Sequence, residues 1–245
     1  TPALSALEGH YYSYFDTDPD EATRFRRLMA AGTVLERTRD ALAGQSSLPL
    51  WITEYHVALE QNGGLQPGYL VDAASGLALA DETLALMQGG FQGACAFNLA
   101  EASGYGLLVH PGAWDLRPAG LALDLLAPFA GETRLPATLA GVGSWRLGTG
   151  KGNLPSGTQY PLVAALASRM AAGRLRLALL NRSWDQPQSV VLGQAGPATL
   201  TWMAPTDLSA TNEFSPAVAL ATESRAFGAS DALTLPPHSL VRVDF

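Results

Sequence analysis

The chain has 245 residues, a formal net charge of −7 and a hydrophobic fraction of 47%. This composition predicts a globular protein with one large domain or two smaller ones, each able to bury a core. Lys151 is the only lysine and the arginines are scattered, which argues against the clustered basic charge of a nucleic-acid-binding surface. No apolar run reaches the ~18–20 residues of a membrane span, so we expect neither nucleic acid nor a membrane as a partner.

Cysteine usage and the N-terminus add little to the prediction of function. Cys95, the single cysteine, lies in an apolar run, so a disulfide within the chain is impossible and a buried small hydrophobic residue is expected. The compartment is left open by this evidence. Thr1 is neither an initiator methionine nor the start of a basic signal segment, and we expect a processed or truncated N-terminus.

The first half alternates predicted strands and helices. Residues 4–14 predict a strand running into a loop. A helix is expected to begin at Asp18, with Pro19 in its first turn and Glu21 three residues on, as in a capping box. An apolar face then recurs at helical spacing, and Gly44 ends the helix. The residues of that face are Phe25, Leu28, Met29, Leu35 and Leu42.

Two further strand and helix pairs follow. Residues 48–53 predict a buried strand with Glu54 at its C-terminal tip, and a polar loop leads to a helix over 78–87. Residues 94–99 predict a short strand, and a loop over 101–114 leads to a helix opened by Pro118. This β-α-β-α-β-α order is typical of parallel βα units.

After residue 131 the pattern changes to short apolar segments between turns, which predicts an antiparallel β-sandwich. The strict alternation over residues 174–179 indicates a half-buried antiparallel strand. Three βα units cannot close a barrel. The first half is therefore either a small open α/β sheet or the end of a (β/α)8 barrel whose first five units lie elsewhere. We expect residues 1–131 to be the C-terminal part of such a barrel and residues 132–245 the sandwich.

Glu54 is the residue most indicative of chemistry. A buried strand that delivers a carboxylate at its tip is how a barrel enzyme presents a catalytic residue. The alternative is a solvated acid that starts a loop. No other predicted strand ends in an equally convincing partner acid.

Three segments resemble a known group of enzymes. Gly9-His10-Tyr11-Tyr12 is similar to the element that ends barrel strand six, and Trp51-Ile52-Thr53-Glu54-Tyr55 to the strand-seven element, of retaining (β/α)8-clan glycoside hydrolases. The sandwich, with the segments 177–182 and 235–240, resembles the C-terminal domain of α-L-arabinofuranosidases and β-xylosidases. The resemblance covers nearly the whole chain and implies the C-terminal portion of such an enzyme, with barrel strands six to eight.

The resemblance implies that Glu54 is the catalytic nucleophile and that the acid/base belongs to an Asn-Glu pair after strand four. Asn212-Glu213 lies among turn residues of the sandwich and is interpreted as a loop. The acid/base is therefore expected outside this chain. Glu101 is the best internal substitute, although a rim residue or sugar ligand is the favoured interpretation, and Glu8 is weaker still.

Several neighbouring side chains are candidates for lining the sugar site. By resemblance, a tyrosine hydroxyl hydrogen-bonds the nucleophile; Tyr12 is favoured and Tyr11 is nearly as plausible. The alternatives are ordinary packing of a tyrosine-rich strand end for His10 and Tyr12, a satisfied loop histidine for His56, and a single exposed aromatic side chain for Trp114. The predicted substrate-binding residues are His10, Tyr12, Tyr55, His56, Asn98, Glu101 and Trp114.

The four histidines do not form a metal-ligand spacing with acidic residues or Cys95, and neither a metal nor a cofactor is expected. The glycine-rich run 148–152 lacks the GxxxxGK[ST] spacing of a phosphate loop. The sequence thus predicts part of a retaining hydrolase, active only with an upstream segment or companion polypeptide that supplies barrel strands one to five. The alternative is a non-catalytic carbohydrate-binding or interaction module derived from one.

Overall fold

A computed structural model describes residues 5–13, 20–44, 46–58, 60–61, 64–65, 67–101, 104–109 and 115–245. The first half contains five strands and five α-helices among these residues, followed by a 3-10 turn at Ala127–Phe129. In chain order they are β1 Leu7–Ser13, α1 Glu21–Leu28, α2 Ala31–Ala43, β2 Leu50–Val57, β3 Glu60–Gln61, β4 Gly64–Leu65, α3 Pro67–Leu70, α4 Ala73–Gly89, β5 Gly93–Ala96 and α5 Pro118–Leu126.

The second half is built from strands in its described residues. They are β6 Thr133–Leu135, β7 Ser144–Arg146, β8 Gln159–Pro161, β9 Val163–Arg169, β10 Leu175–Asn181, β11 Gln188–Val191, β12 Gly196–Met203, β13 Ala221–Phe227, β14 Ala232–Leu235 and β15 Ser239–Asp244. Six of them form one sheet in the order β13-β12-β15-β10-β9-β6, and β11-β14 and β7-β8 form two smaller pairs. The expected combination of an α/β part and an antiparallel β-sandwich is confirmed at this level.

The α/β part is organised around a three-stranded parallel sheet in the order β1-β2-β5. One face packs on the helices, where Ile52 and Tyr55 join Leu79 and Leu86 of α4 in an apolar cluster. The opposite face is open, and Trp51 is 42% exposed there. Parallel sheets are normally covered on both faces, so this sheet has the character of part of a larger structure.

Helix α4 joins the two halves of the molecule. Its Asp81 is fully buried and binds Arg182, which follows β10, with 2.7 Å between Oδ1 and Nε. The core is also shared, since Leu77 of α4 lies in one apolar cluster with Leu166 of β9 and Leu240 of β15. The halves therefore pack as one body around a common core.

Several sequence-based boundaries were wrong. The first helix is capped by Asp20, whose carboxylate accepts the N–H of Thr23, and it breaks after Leu28 before α2 begins. Asp18 and Pro19 lie outside the described residues. Helix α4 begins at Ala73, five residues before the prediction, because Asp72 caps it by accepting the N–H of Ser75.

Three burial predictions also fail. Cys95 is exposed on the open sheet rather than buried, and Leu42 is 37% exposed at the end of α2. Strand β10 is not a half-buried strand, because the rest of the sandwich covers one side and helices of the first half cover the other. Its last four residues are all buried.

Candidate active site

Glu54 lies inside strand β2 and not at its tip, since the strand continues to Val57. The position of its side chain depends on a β-bulge. Gly9 pairs with Ile52 but the next residue, His10, pairs with Glu54, so Thr53 is an extra residue in β2. The pairing with β5 shows the same shift between Ile52 and Tyr55.

The bulge turns the carboxylate toward the open face of the sheet. In a regular strand, side chains alternate between faces, so Ile52 and Tyr55 would point in opposite directions. Here both are buried on the helix side, and Tyr55 Oη lies 2.9 Å from Thr83 Oγ1 of α4. Glu54 is therefore aimed to the other side, the kind of re-orientation that bulges produce beside active sites.

Two side chains from the neighbouring strand contact Glu54. Tyr12 Oη donates a hydrogen bond of 2.8 Å to Glu54 Oε2. His10 Nδ1 lies 3.4 Å from the same oxygen. Burial, together with the hydrogen bond to Glu54, raises the pKa of Tyr12 above its ordinary value, so the hydroxyl remains a donor at neutral pH. Both contacts hold the Glu54 carboxylate in one orientation.

The structure decides between the two tyrosines left open by the sequence. Tyr11 points to the helix side, where its hydroxyl donates to the carbonyl of Ala31. Only Tyr12 of the pair reaches Glu54. Tyr55 also points to the helices, and burial raises its pKa to about 12. The geometry thus does not bring Tyr55 to the same face as Glu54, contrary to the expectation that it bounds the sugar site.

Aromatic rings surround this face. Tyr105 packs edge-on against Tyr12, Phe97 and His56, with ring centroids 5.9, 5.8 and 5.2 Å away. Neither Tyr105 nor Phe97 is among the residues predicted from the sequence to line the site. No local pattern distinguishes Tyr105, since it lies in a loop and reaches the site only because its backbone pairs with Asn98.

His56 is completely buried and neutral. Burial lowers its pKa to about 4. Its Nδ1 lies 2.8 Å from the carbonyl oxygen of Val57, which can only accept, so Nδ1 carries the proton. Nε2 is then an acceptor, and it has no hydrogen-bond partner within the described part of the chain.

Asn98 and Glu101 lie at the same end of the sheet. Asn98 Oδ1 is a buried acceptor, again without a partner among the described residues. Glu101 Oε1 accepts the backbone N–H of Tyr105 at 3.0 Å, and its charge is one of the causes that raise the pKa of Tyr12. Trp114, the last predicted sugar-binding residue, lies outside the described residues.

The remaining acids are placed elsewhere. Glu213 forms a bidentate ion pair with the buried Arg117, at 2.7 and 3.2 Å. Asn212 bonds to Leu116 and Val218. Asn212 and Glu213 lie in a loop, as interpreted from the sequence, and they join the second half of the chain to the segment before α5. Glu8 is exposed and accepts from Thr53 at 3.2 Å.

Other kinds of site find little support in the described residues. They contain no group of three His, Cys, Asp or Glu side chains suited to hold a metal ion. No helix among them is long and apolar enough to cross a membrane.

Comparison with known proteins shows what the fold resembles. No protein-family model and no curated protein matches the chain. Among solved structures, the family 51 arabinofuranosidase of Xanthomonas axonopodis pv. citri has a TM-score of 0.79 at 17% identity, over 98% of this chain and 52% of that one. The α-L-arabinofuranosidase of Thermotoga maritima has a TM-score of 0.77 at 15% identity, with coverage of 99% and 52%.

A family 51 α-L-arabinofuranosidase of Bifidobacterium longum is also similar, with a TM-score of 0.73 at 17% identity and coverage of 99% and 53%. The chain thus spans about half the length of these proteins. The predicted resemblance is confirmed at the level of the fold: the chain has the fold of about half of a family 51 arabinofuranosidase, in agreement with a C-terminal portion.

Proposed function

We propose that the chain is the portion of a retaining glycoside hydrolase that carries the catalytic nucleophile, Glu54. The observation that carries the proposal is the bulge in β2, which turns this carboxylate to the open face, where Tyr12 and His10 contact it. The similarity of the fold to arabinofuranosidases supports a glycosidic substrate.

In this proposal, residues 1–131 supply barrel strands six to eight and residues 132–245 form the accessory sandwich. The open, partly apolar face of the sheet is then the interior of a barrel closed by five further βα units. These come from an upstream segment or a companion polypeptide. The same source provides the acid/base, about 5–5.5 Å from Glu54 across the scissile bond.

Two displacements complete the reaction. The Glu54 carboxylate attacks the anomeric carbon while the acid/base protonates the leaving oxygen, which breaks the glycosidic bond and leaves a glycosyl ester on Glu54. The acid/base then takes a proton from water, the water oxygen attacks the anomeric carbon, and the Glu54 carboxylate departs. The configuration at that carbon is retained.

Within the site, each group has a defined task. The Tyr12 hydroxyl donates to Glu54 Oε2 and keeps the carboxylate oriented. His56 Nε2 and Asn98 Oδ1 are buried acceptors without a partner in the described part of the chain, and they suit donors such as sugar hydroxyl groups. The ring of Tyr105 closes the site beside them. An arabinofuranoside or xyloside is the proposed substrate class, on the names of the similar structures and the sequence resemblance.

Turnover and subunit composition test the proposal. The protein should be purified from its source, and its polypeptides analysed by gel and intact mass for a partner of roughly 150–250 residues, or an equivalent upstream extension. Activity is measured on nitrophenyl α-L-arabinofuranoside and β-D-xyloside. We expect the complete barrel to be active, Glu54→Gln to lose more than about a thousandfold in kcat, and the 245 residues alone to be inactive.

Robust turnover by the 245 residues alone would overturn the proposed dependence on a companion, and full activity of Glu54→Gln would overturn the nucleophile. A stable monomer that binds glycans without turnover would favour the non-catalytic carbohydrate-binding module instead.

A further inference from the structure

The glycine-rich run 148–152 is not explained by the proposed reaction, yet it lies in a sandwich loop that reaches the barrel. Four residues after Thr149, Asn153 Nδ2 donates a hydrogen bond of 2.7 Å to the backbone carbonyl of Tyr12. Asn153 is 141 residues away from Tyr12 in the chain. The contact therefore links the sandwich directly to the strand that holds the nucleophile.

The loop is itself held in a defined shape. Lys151 and Leu154 exchange two backbone hydrogen bonds of 3.0 Å, and the Leu154 side chain is buried in the shared core. The N–H of Gly150 donates to Ser156 Oγ at 2.8 Å. A Cβ atom at Gly150 would lie 2.2 Å from the carbonyl oxygen of Leu154, so only glycine fits the close approach of the two backbones.

A second contact fixes the loop to the first helix. The guanidinium of Arg27, which is almost fully buried on α1, donates to Thr149 Oγ1 at 3.0 Å. The loop thus contacts both β1, at Tyr12, and α1, at Arg27. A loop anchored in the core at Leu154 and on α1 at Thr149 can hold the end of β1 in place.

We infer that Asn153 is a positioning residue for the nucleophile, acting through Tyr12. The chain of contacts is short: Asn153 fixes the Tyr12 backbone, and the Tyr12 hydroxyl fixes Glu54 Oε2 at 2.8 Å. Catalytic groups must be held within about 0.5 Å of the productive geometry by neighbours that are themselves fixed. The sandwich therefore contributes to catalysis and is not only a structural appendage. This inference rests on the proposed function of Glu54.

The contact itself can be tested without activity. Tyr12-Ser13 is the only Tyr-Ser dipeptide in the sequence. Labelling with ¹³C-carbonyl tyrosine and ¹⁵N serine therefore gives one carbonyl-correlated amide signal, that of Ser13. We expect Asn153→Ala and the same-size Asn153→Asp to move this signal, because neither side chain donates to the carbonyl at neutral pH. Gln194→Ala is the matched control, since that exposed sandwich amide bonds, among the described residues, only to its neighbour Ala195.

Kinetics of the complete enzyme then test the positioning role. Loss of the Asn153 hydrogen bond should let Tyr12 move and lower kcat about tenfold or more, since a displacement of ~1 Å can lower the rate about a hundredfold. The KM should change much less, and the acid limb of the kcat/KM profile should move to higher pH. Gln194→Ala should change neither constant. A merely structural role would lower the amount of folded enzyme but leave the kcat and the pH profile of the folded fraction unchanged.

Two results overturn the inference. The first is a Ser13 signal that does not move in either Asn153 variant. The second is a signal that moves while kcat and the acid limb of the pH profile stay unchanged, in an enzyme that Glu54→Gln inactivates. Failure of the proposed function has a different signature, since Glu54→Gln would then remain active whatever the Asn153 variants do.

Discussion

Glu82 on α4 provides a sharp test of the packing between the sheet and the helices. Its carboxyl is fully buried; Ser13 Oγ of β1 donates to Oε1, and Oε2 has no partner in the described part of the chain. Burial, with a smaller contribution from the Asp81 charge, raises the pKa of Glu82 from 4.5 to about 8. The folded protein therefore keeps this carboxyl protonated at neutral pH, whereas the unfolded chain does not.

The sign of the pH dependence follows from proton binding. Between about pH 4.5 and pH 8 the folded state binds more protons at Glu82 than the unfolded state, so the free energy of unfolding falls as pH rises. At about 1.4 kcal/mol per pH unit the full effect is about 5 kcal/mol. Because the backbone relaxes and water penetrates buried sites, we expect roughly 3 kcal/mol.

The perturbation is Glu82→Gln, which keeps the shape and an acceptor for Ser13 but cannot ionise. Urea unfolding, followed by tryptophan fluorescence, should give similar stabilities for wild type and variant near pH 5 and a more stable variant at pH 8–9. Asp124→Asn, at an exposed carboxylate of α5, is the control and should leave the pH dependence unchanged. Parallel pH profiles for wild type and Glu82→Gln would refute the assignment of Glu82 as a buried neutral acid.

Two further substitutions test the site and the junction between the halves. Tyr12→Phe removes the donor to Glu54 Oε2. It should lower kcat of the complete enzyme by about tenfold to a hundredfold and move the acid limb of its pH profile upward, and an unchanged profile would contradict the role of the hydroxyl. Asp81→Asn leaves the buried Arg182 without its counter-charge, and should lower the free energy of unfolding by about 3–5 kcal/mol. A loss below about 1 kcal/mol in urea unfolding would show that the pair does not hold the halves together.

The sequence was sufficient for the architecture because helix and strand periods differ clearly in the two halves. It predicted the order of the βα units and located the strand of Glu54. It could not locate the start of α4, because the preceding residues are as apolar as the helix and the cap at Asp72 depends on tertiary contacts. That aspartate also pairs with the buried Arg24, at 2.7 Å.

The candidate site could be predicted from the sequence only in part. The sequence pattern placed Glu54 at a strand end, and the family resemblance placed Tyr12 and His10 at the end of a neighbouring strand. The structure brings these three together. The bulge at Thr53 has no local sequence signal, because it is defined by the register with both neighbouring strands. It decides which side chains share the face of Glu54, so Tyr55 was assigned to the wrong side.

Long-range contacts account for the residues that were missed. Tyr105 joins the aromatic group through backbone pairing with Asn98. Asn153 reaches Tyr12 only because the sandwich packs on the helices of the α/β part around one core. Both depend on the folded arrangement of distant segments, which neither composition nor periodicity encodes.

Covalent trapping is the most direct test of whether Glu54 is the catalytic nucleophile. The complete enzyme is incubated with a 2-fluoro glycosyl fluoride of its substrate sugar, which slows the release of a glycosyl ester. Trypsin leaves Glu54, Glu82 and Glu101 on one peptide, since no lysine or arginine lies between Arg39 and Arg117, so pepsin and peptide fragmentation are needed to locate the label. The account predicts the label on Glu54. A label on any other residue, such as Glu101, would contradict it.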